Sequence, residues 1–386
     1  MSGGARAPPI QMIILFWFSL GAIGYAYVGY AALLWLLTRR TSARAPLADA
    51  PLPPVTLLIP VHNEAAVLER KLQNALALDY PPERLQVLVV SDGSTDATAE
   101  IVRRYQHDPR LTFAALPERR GKANALNEGL ARARGEIVVF TDASIQLEPE
   151  SLRRIVAPFA DPVVGCVSGE DYIADGGGEG LYGRYELLLR RLESRAHSIV
   201  GASGSFYAQR RELCQPFPEG MAPDFVSVLA TVERGYRALA EPTARGHMSS
   251  VRRTQDEFQR KVRTLLRGMT ALAAKRRLLN PARYGVFAIE LWSHKLMRWL
   301  VPVFLVTLLG SSAWLAAHPF YAVALAGQLT FYGMAAAALV FPAAQRFALV
   351  RIAVYFTVVN AAILGAWAKF MAGTRVEIWN PSQRVT

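Results

Sequence analysis

A long apolar segment near the start of the chain limits the folds that are open to it. Residues Gln11 to Leu37 are almost wholly apolar, about 27 residues, which is enough to cross a hydrocarbon core of ~30 Å. Lipid offers no partners for backbone hydrogen bonds, so a single crossing segment must be a helix. A secretory signal peptide would be shorter and would end at a small-residue cleavage site. The sequence therefore predicts a transmembrane helix over residues 11–37, preceded by an N-terminal segment of residues 1–10.

The arginines beside this segment indicate its orientation. Arg39, Arg40 and Arg44 follow the segment, whereas only Arg6 precedes it. Cytoplasmic flanks of membrane spans carry an excess of Lys and Arg. The chain after Leu37 is therefore expected in the cytoplasm, at the inner (plasma) membrane of the cell.

The C-terminal third carries three further apolar segments, at about residues 297–317, 320–341 and 347–370. We expect C-terminal transmembrane helices over residues 296–371 of a multi-pass protein, followed by a tail of residues 372–386. Basic residues before the first segment and in the tail both favour the cytoplasm. Three spans would place them on opposite sides of the membrane, which leaves open that one segment is interfacial or re-entrant.

Between residues 55 and 253, short apolar strands alternate with segments of helical periodicity. The predicted strands are residues 55–61, 85–90, 111–115 and 136–140. This alternation is typical of βα units and a mostly parallel sheet. Asn63 is predicted to cap the first helix, and Thr95 or Asp96 the second. We therefore expect an α/β domain over residues 55–253, joined to the first span by a proline-containing linker of residues 38–54.

Polar groups follow three of these strands at the point where each strand ends. The groups are His62-Asn63-Glu64, Asp92-Gly93-Ser94 and Asp142-Ala143-Ser144. The carboxyl ends of parallel strands share one edge of a sheet, which is where open α/β proteins bind ligands. Lys122, at a predicted helix start, adds a positive charge and free backbone N–H groups that suit a diphosphate. Each group alone could be a cap or a turn, but together they predict a binding cleft.

A basic segment precedes the C-terminal spans and contributes to the net charge of +12. Its apolar stripe consists of Phe258, Val262, Leu265, Leu266, Met269 and Leu272, and its other faces carry Arg and Lys. The pattern predicts amphipathic interfacial helices over residues 254–295, lying on an anionic cytoplasmic leaflet. An ordinary surface helix, or arginines that contact a diphosphate, are the alternatives. A nucleic-acid partner is not expected, because no recognition module accompanies the charge.

Two smaller groups of residues receive no functional role from the sequence. Cys166 and Cys214 have no metal-ligand spacing around them and are expected to be free thiols in a reducing compartment. Arg190, Arg191 and Arg195 are expected to cover the solvent face of a helix.

Motifs of the middle region follow the order of a known protein family. They are Pro60-Val61-His62-Asn63-Glu64, residues 91–96, Gly121-Lys122-Ala123, Thr141-Asp142-Ala143, residues 201–205, Pro223-Asp224-Phe225 and residues 233–237. Over roughly residues 55–270 the sequence resembles family 2 glycosyltransferases, and its membrane layout is similar to that of members that make polysaccharides or glycolipids. The resemblance implies a GT-A fold, which is a Rossmann-like, mostly parallel α/β sheet, here with flanking transmembrane helices.

The resemblance also implies roles for individual residues. Pro60, Glu64 and Asp92 would hold the uracil and ribose of a UDP-sugar, with Ser94 and Lys122 nearby. Asp142 would ligate a Mg²⁺ or Mn²⁺ ion on the diphosphate. Asp224 would take the proton from the acceptor hydroxyl, and residues 201–205, including Gly204, would line the donor-sugar and acceptor side of the cleft.

A single base that acts in line with the leaving group gives inversion at the anomeric carbon. The expected activity is therefore inverting transfer of a sugar from a nucleotide-diphosphate donor to a glycan or lipid-linked acceptor, which forms a β-glycosidic bond at the cytoplasmic membrane face. One alternative is a transferase that loads a single sugar onto a polyprenyl phosphate or another lipid. A second alternative is a non-catalytic subunit of a polysaccharide export complex.

The sequence departs from the family pattern at three places. Ser144 stands where the metal motif usually has a second aspartate, and Pro223 stands where the base motif usually has another acid. Residues 259–263 lie where processive synthases have Gln-x-x-Arg-Trp, but the tryptophan is missing. Ser144 predicts that Asp142 is the lone protein carboxylate on the metal. Ser144 and Pro223 together motivate the non-catalytic alternative, and the incomplete Gln-x-x-Arg-Trp motif favours single or short additions.

Overall fold

The structure is a computed structural model that describes residues 9–40, 51–173, 177–248 and 254–374. The predicted N-terminal segment, most of the linker and most of the tail lie outside the described residues. Within them, four helices are long and apolar enough to cross a membrane. The first runs from Ile10 to Thr38 and consists of α1 (Ile10–Gly24), a π-helical turn (Tyr25–Gly29) and α2 (Tyr30–Thr38).

The first half of the α/β domain is a parallel βα arrangement, as predicted. It contains β1 (Val55–Val61), α3 (Ala65–Leu76), β2 (Leu85–Asp92), α4 (Thr98–Arg104), β3 (Leu111–Leu116), α5 (Lys122–Arg132) and β4 (Ile137–Thr141). The four strands lie side by side in the order β3-β2-β1-β4, and each adjacent pair is parallel. Strands β1, β2 and β4 are buried along their whole length, because helices cover both faces of the sheet.

The second half makes the sheet mixed. It contains β5 (Ile145–Leu147), α6 (Ser151–Val156), β6 (Val164–Ile173), α7 (Gly177–Ala196), β7 (Phe206–Arg210), α8 (Pro223–Glu233) and β8 (Arg237–Met248). Strand β7 lies antiparallel between β4 and β6, while β8 pairs parallel with β6 and antiparallel with β5. The complete order is β3-β2-β1-β4-β7-β6-β8-β5, so one continuous sheet carries the cleft edge.

The predicted cap is wrong at the first helix, whereas Asp96 does bind the start of the second helix. Asn63 does not cap α3, because its backbone has φ 51° and its side chain accepts a hydrogen bond from the backbone N–H of Thr95 instead. The first helix therefore begins one residue later than predicted. Asp96 accepts hydrogen bonds from the N–H groups of Thr98 and Ala65, so its carboxylate joins the starts of α3 and α4.

The C-terminal part is helical. It contains α9 (Thr254–Ala274), α10 (Pro281–Leu291), a π-helical turn (Trp292–Leu296), α11 (Met297–Trp314), α12 (Pro319–Val340) and α13 (Ala348–Met371). The second candidate span, Pro281–Trp314, runs through α10, the turn and α11, and it begins well before the predicted segment. Helices α12 and α13 are the other two candidate spans.

The apolar stripe of α9 is covered by protein, which corrects the expectation that this face enters a leaflet. Val262, Leu266, Met269 and Leu272 are buried in the main hydrophobic core, together with residues of α13. A Cβ atom on Gly365 of α13 would lie only 3.6 Å from Val262 Cγ2. Helix α9 therefore buries its stripe between the α/β domain and the last candidate span.

Candidate functional site

A cleft of about 480 Å³ opens at the carboxyl ends of β1 and β4. The ends of these strands, the 201–205 loop, the start of α8, helix α9 and the π-helical turn before α11 form its walls. Six of the eight predicted site residues line this cleft: Pro60, Glu64, Lys122, Asp142, Gly204 and Asp224. The other two, Asp92 and Ser94, do not line it and instead shape the loops beside it.

Asp92 holds the loop that leads into α5. Its side chain is buried, and its two carboxylate oxygens accept hydrogen bonds from the N–H groups of Arg120 (2.9 Å) and Gly121 (2.7 Å). Gly121 has φ 95°, a backbone conformation that favours glycine. These contacts fix the residue that precedes Lys122, so Asp92 positions the lysine; its contact with a nucleotide base stays a prediction.

Ser94 joins two of the strand-end loops. Its hydroxyl oxygen accepts hydrogen bonds from the N–H of Asn63 (3.1 Å) and from the hydroxyl of Ser91 (2.8 Å). The loops after β1 and β2 therefore keep a fixed separation, which supports the cleft wall that contains Pro60 and Glu64.

Lys122 and Asp142 form an ion pair in the cleft. The distance from Lys122 Nζ to Asp142 Oδ1 is 2.5 Å, and both side chains are largely screened from solvent. The backbone N–H of Asp142 donates to the carbonyl oxygen of Ser205 at 3.2 Å. This bond ties the end of β4 to the 201–205 loop, so the predicted metal residue lies on a rigid part of the sheet edge.

Lys71 is a site-supporting residue that sequence reasoning missed. Its side chain is fully buried beneath the end of β4, and its Nζ donates to Thr141 Oγ1 (2.9 Å) and to the carbonyl oxygen of Ile145 (2.8 Å). Burial lowers the pKa of Lys71 to about 7, although the charges of Asp142 and Glu64 act in the opposite direction. A signal was present, because Lys71 follows Leu68 by three residues and so lies on the buried face of α3.

Asp224 occupies the first turn of α8, where Pro223 begins the helix. A Cβ atom on Gly204 would lie 3.9 Å from Asp224 Cγ, so the 201–205 loop lies directly beside the carboxylate in the cleft. The guanidinium of Arg267 donates twice to the carbonyl oxygen of Met221, at 3.1 and 2.7 Å. Burial lowers the pKa of Arg267, and the nearby charge of Asp224 acts in the opposite direction.

The basic face of α9 lines the same cleft. Arg260, Arg263 and Arg267 all contribute to its wall. Burial, and then the charge of Arg260, lowers the pKa of Arg263. This placement agrees with the alternative that arginines of this helix contact a diphosphate.

Asp142 and Ser144 are consistent with a metal site in which a bound substrate supplies some of the oxygen ligands. Within the described part of the chain, no group of three or more His, Cys, Asp or Glu side chains could hold a metal ion. Mg²⁺ is usually bound by one or two carboxylates, with substrate phosphates and waters completing its octahedron. The oxygen of Asp142, in a cleft with room for a diphosphate, is consistent with such a site.

Charged side chains also close the far end of the cleft, beside the candidate spans. His294 contacts Glu193 (2.6 Å) and Glu186 (3.1 Å), and the hydroxyl of Tyr30 donates to Glu193 (2.8 Å). Arg298 pairs with Glu186. This network connects α2, α7 and the π-helical turn before α11.

Two of the arginines on α7 have contacts that the sequence did not predict. Arg191 pairs with the buried carboxylate of Glu170 at 2.7 Å. Arg190 lines the cleft, which corrects the expectation that it covers a solvent face. Both cysteines are free thiols, as predicted.

The sequence matches the family described as Glycosyl transferase family 2 over residues 56–216. This stretch, less than half of the chain, is similar to family 2 glycosyltransferase domains. It runs from β1 to just beyond β7 and contains every predicted site residue except Asp224.

Two curated relatives have similar sequences over about half of this chain. The poly-beta-1,6-N-acetyl-D-glucosamine synthase of Staphylococcus aureus is 28% identical over 203 residues, which cover 49% of this chain and 48% of the relative. The beta-monoglucosyldiacylglycerol synthase of Synechocystis is 32% identical over 194 residues, which cover 45% and 40% of the two chains. The chain therefore spans half or less of the length of these curated relatives.

A solved structure is similar along nearly the whole chain. It is a mannosyltransferase from Pyrobaculum calidifontis in complex with GDP-Man and Mn²⁺, with a TM-score of 0.72 and 28% sequence identity. The match covers 92% of this chain and 99% of the mannosyltransferase. The predicted GT-A α/β fold with long flanking apolar helices is thus confirmed.

Proposed function

We propose that this protein is an inverting glycosyltransferase that moves a sugar from a nucleoside-diphosphate donor to a glycan or lipid-linked acceptor, with formation of a β-glycosidic bond. The observation that carries the proposal is that one cleft contains the Lys122–Asp142 pair and Asp224. The family 2 domain and the similarity to a GDP-Man-bound mannosyltransferase support a nucleotide-sugar donor.

The strand edge would bind the donor. Asp142 would ligate Mg²⁺ or Mn²⁺, and Lys122 and the arginines of α9 would add positive charge near the diphosphate. When bound, the metal would neutralise charge on the leaving diphosphate. Pro60, Glu64 and Asp92 are proposed to select a uridine donor, with Ser94 and Gly204 shaping the cleft around it.

Asp224 would act as the general base. It lies beside Gly204 in the wall of the cleft, where a carboxylate can take the proton from an acceptor hydroxyl as that oxygen attacks the anomeric carbon. Attack opposite the leaving diphosphate would convert an α-linked donor into a β-linked product.

The reaction would take place beside the bilayer, at the cytoplasmic face of the inner (plasma) membrane. The turn at Trp292–Leu296 contributes His294 and Lys295 to the cleft and continues into α11. A membrane-bound acceptor would then reach Asp224 without leaving the lipid surface. Anionic lipids of the cytoplasmic leaflet are the proposed membrane partner.

Replacing Asp224 and Asp142 tests the two sides of the cleft. We expect Asp224→Asn to lower sugar transfer by about 10²–10⁴-fold while binding of the nucleotide is unchanged. Asp142→Ala should weaken Mn²⁺-dependent nucleotide binding. Asp79→Asn is the matched control, because Asp79 pairs with Arg153 on the surface. Wild-type transfer by Asp224→Asn would refute the role of the base, and unchanged Mn²⁺ dependence in Asp142→Ala would refute the metal site.

A second candidate function is single addition to a polyprenyl phosphate or another lipid. The incomplete Gln-x-x-Arg-Trp motif at residues 259–263, which lacks the tryptophan, favours it over processive synthesis. The length of the product separates the two functions. A non-catalytic subunit of an export complex would show neither transfer nor donor hydrolysis in purified, folded protein.

A further inference from the structure

Lys295 is a cation of the cleft that lies over an aromatic ring and has no ion-pair or hydrogen-bond partner in the described residues. Its Nζ lies 3.4 Å from the position that a Cβ atom on Gly201 would take, and 5.6 Å from the centre of the Phe225 ring. In the described ranges, no carboxylate lies within ion-pair distance of Lys295 and no oxygen accepts a hydrogen bond from it. A partly buried ammonium without an acceptor is unfavourable unless a ligand supplies one.

The acids nearest to Lys295 are already bound to other side chains. Glu186 contacts Arg298 and His294, and Glu193 accepts hydrogen bonds from Tyr30 and contacts His294. These contacts hold both carboxylates against the helices. Lys295 can therefore bind an anion that enters the cleft from outside the protein.

Arg190 adds a second cation at the same place. Its contact with the protein is a long hydrogen bond of 3.5 Å from Nη2 to the carbonyl oxygen of Ala202, and no ion pair involves it among the described residues. Ala202 follows Gly201, so Arg190 and Lys295 both lie at the same stretch of cleft backbone. Together they offer several N–H donors to one group, and charge-assisted bonds of this kind suit a phosphate.

The location of the pair indicates which phosphate it binds. Lys295 belongs to the turn that continues into α11, and the ring over which it lies is that of Phe225, next to Asp224. The pair is thus found between the proposed base and the bilayer. Lys122 and Asp142 form the separate, sheet-edge part of the cleft, where the donor diphosphate is expected.

We propose that Lys295 and Arg190 form a subsite for the phosphate of a lipid-linked acceptor. The proposal rests on the proposed function, because it assumes that Asp224 activates an acceptor hydroxyl in the same cleft. In the reaction, that hydroxyl oxygen bonds to the anomeric carbon, the donor's carbon–oxygen bond to its diphosphate breaks, and the proton passes to Asp224. The acceptor phosphate is bound and not changed, and it fixes the distance between the hydroxyl and the membrane.

Binding of a small lipid phosphate tests the subsite directly. Full-length protein in non-ionic detergent would be titrated with farnesyl phosphate, with farnesol and with inorganic phosphate. We expect farnesyl phosphate to bind at least about tenfold more tightly than farnesol, because hydrogen bonds to a charged group increase the affinity by at least that factor. Lys295→Met should remove most of this preference, Arg190→Gln part of it, and Lys295→Arg little.

The matched control is Arg277→Gln, which removes an exposed basic residue that does not line the cleft. A loss of preference in this control equal to that in Lys295→Met would mean that general charge attracts the lipid, and would overturn the subsite. A preference that is unchanged in Lys295→Met would also overturn it. Equal binding of inorganic phosphate would show a free-anion site in place of a lipid-phosphate site.

Nucleotide affinity is the second measurement for each variant. The subsite predicts that Lys295→Met leaves Mn²⁺-dependent nucleotide binding unchanged. A matching loss of nucleotide affinity would instead assign Lys295 to the donor diphosphate. The binding assay needs no catalysis, so the phosphate subsite and the proposed function can be refuted separately. Lys295-dependent binding of farnesyl phosphate without any sugar transfer would support the subsite and refute the proposed function.

Discussion

The buried Lys71 makes the stability of the protein depend on pH in a defined direction. Burial lowers the pKa of its ammonium in the folded protein to about 7, from an ordinary value of 10.5. Between these two values the unfolded chain binds a proton that the folded protein does not hold. The free energy of unfolding therefore rises with pH across this window, and the penalty for a buried charge is fully present below pH 7.

The size of the effect follows from the two pKa values. From pH 7 to pH 9, titration of this one group should raise the free energy of unfolding by about 2 kcal/mol. Lys71→Met keeps an unbranched side chain of similar length and removes the titration. For a domain of this size, the wild type should gain ~4–8 °C more in melting temperature than the variant over the same pH interval.

The assay is thermal unfolding of both proteins in detergent at several pH values, followed by intrinsic fluorescence. The other titratable groups are present in both proteins, so their contribution cancels in the difference between the two melting temperatures. Lys369→Met is the control, because Lys369 is exposed at the end of α13 and should not alter the pH dependence. If Lys71→Met follows the wild-type pH dependence, then Lys71 is charged in the folded protein throughout this range and our reasoning about its burial is wrong.

Four other substitutions or treatments give clear expectations. Gly93→Ala should destabilise the protein by more than about 1 kcal/mol in thermal unfolding, since Gly93 has φ +59° and a Cβ atom would lie 2.5 Å from the backbone nitrogen of Arg119. Gly204→Ala should fold normally, because its Cβ would make an ordinary contact with Asp224. Ser144→Asp should tighten Mn²⁺-dependent nucleotide binding, and unchanged binding would place residue 144 away from the metal. Maleimide at pH 8 should leave the folded protein unlabelled, because burial raises the pKa of Cys166 far above its usual range and that of Cys214 to about 12; rapid labelling would contradict this burial.

The sequence predicted the features that depend on local residue patterns and on the order of the strands along the chain. Strands β1, β2 and β4 are short and rich in β-branched residues, and turn residues bound them, so their existence followed from pattern alone. Parallel strands bring their ends to one edge, so the meeting of Glu64 and Asp142 could also be predicted. Asp224 depended on the resemblance, because it lies on a helix far along the chain.

Other features depend on packing that a periodic pattern does not specify. The stripe of α9 suits a lipid surface and a protein surface equally, and only the tertiary structure shows that α13 covers it. Arg190 is one of several arginines on α7, and no local signal distinguishes the one that faces the cleft. Lys71 lay on a predictable buried face, but its partners, Thr141 and Ile145, belong to a distant strand end.

The two π-helical turns in the candidate spans lie against each other. The hydroxyl of Tyr25, in the first turn, is 2.7 Å from that of Ser293, in the turn before α11. A π-helical turn contains one more residue than an α-helical turn, and each residue rotates the helix by ~100°. Deleting one residue from the second turn would therefore rotate the whole of α11 about its own axis relative to Lys295. The number of residues in that turn therefore fixes the rotation of α11 relative to the cleft. A change in that number would misalign the cleft and the membrane helices even if every side chain of both were retained.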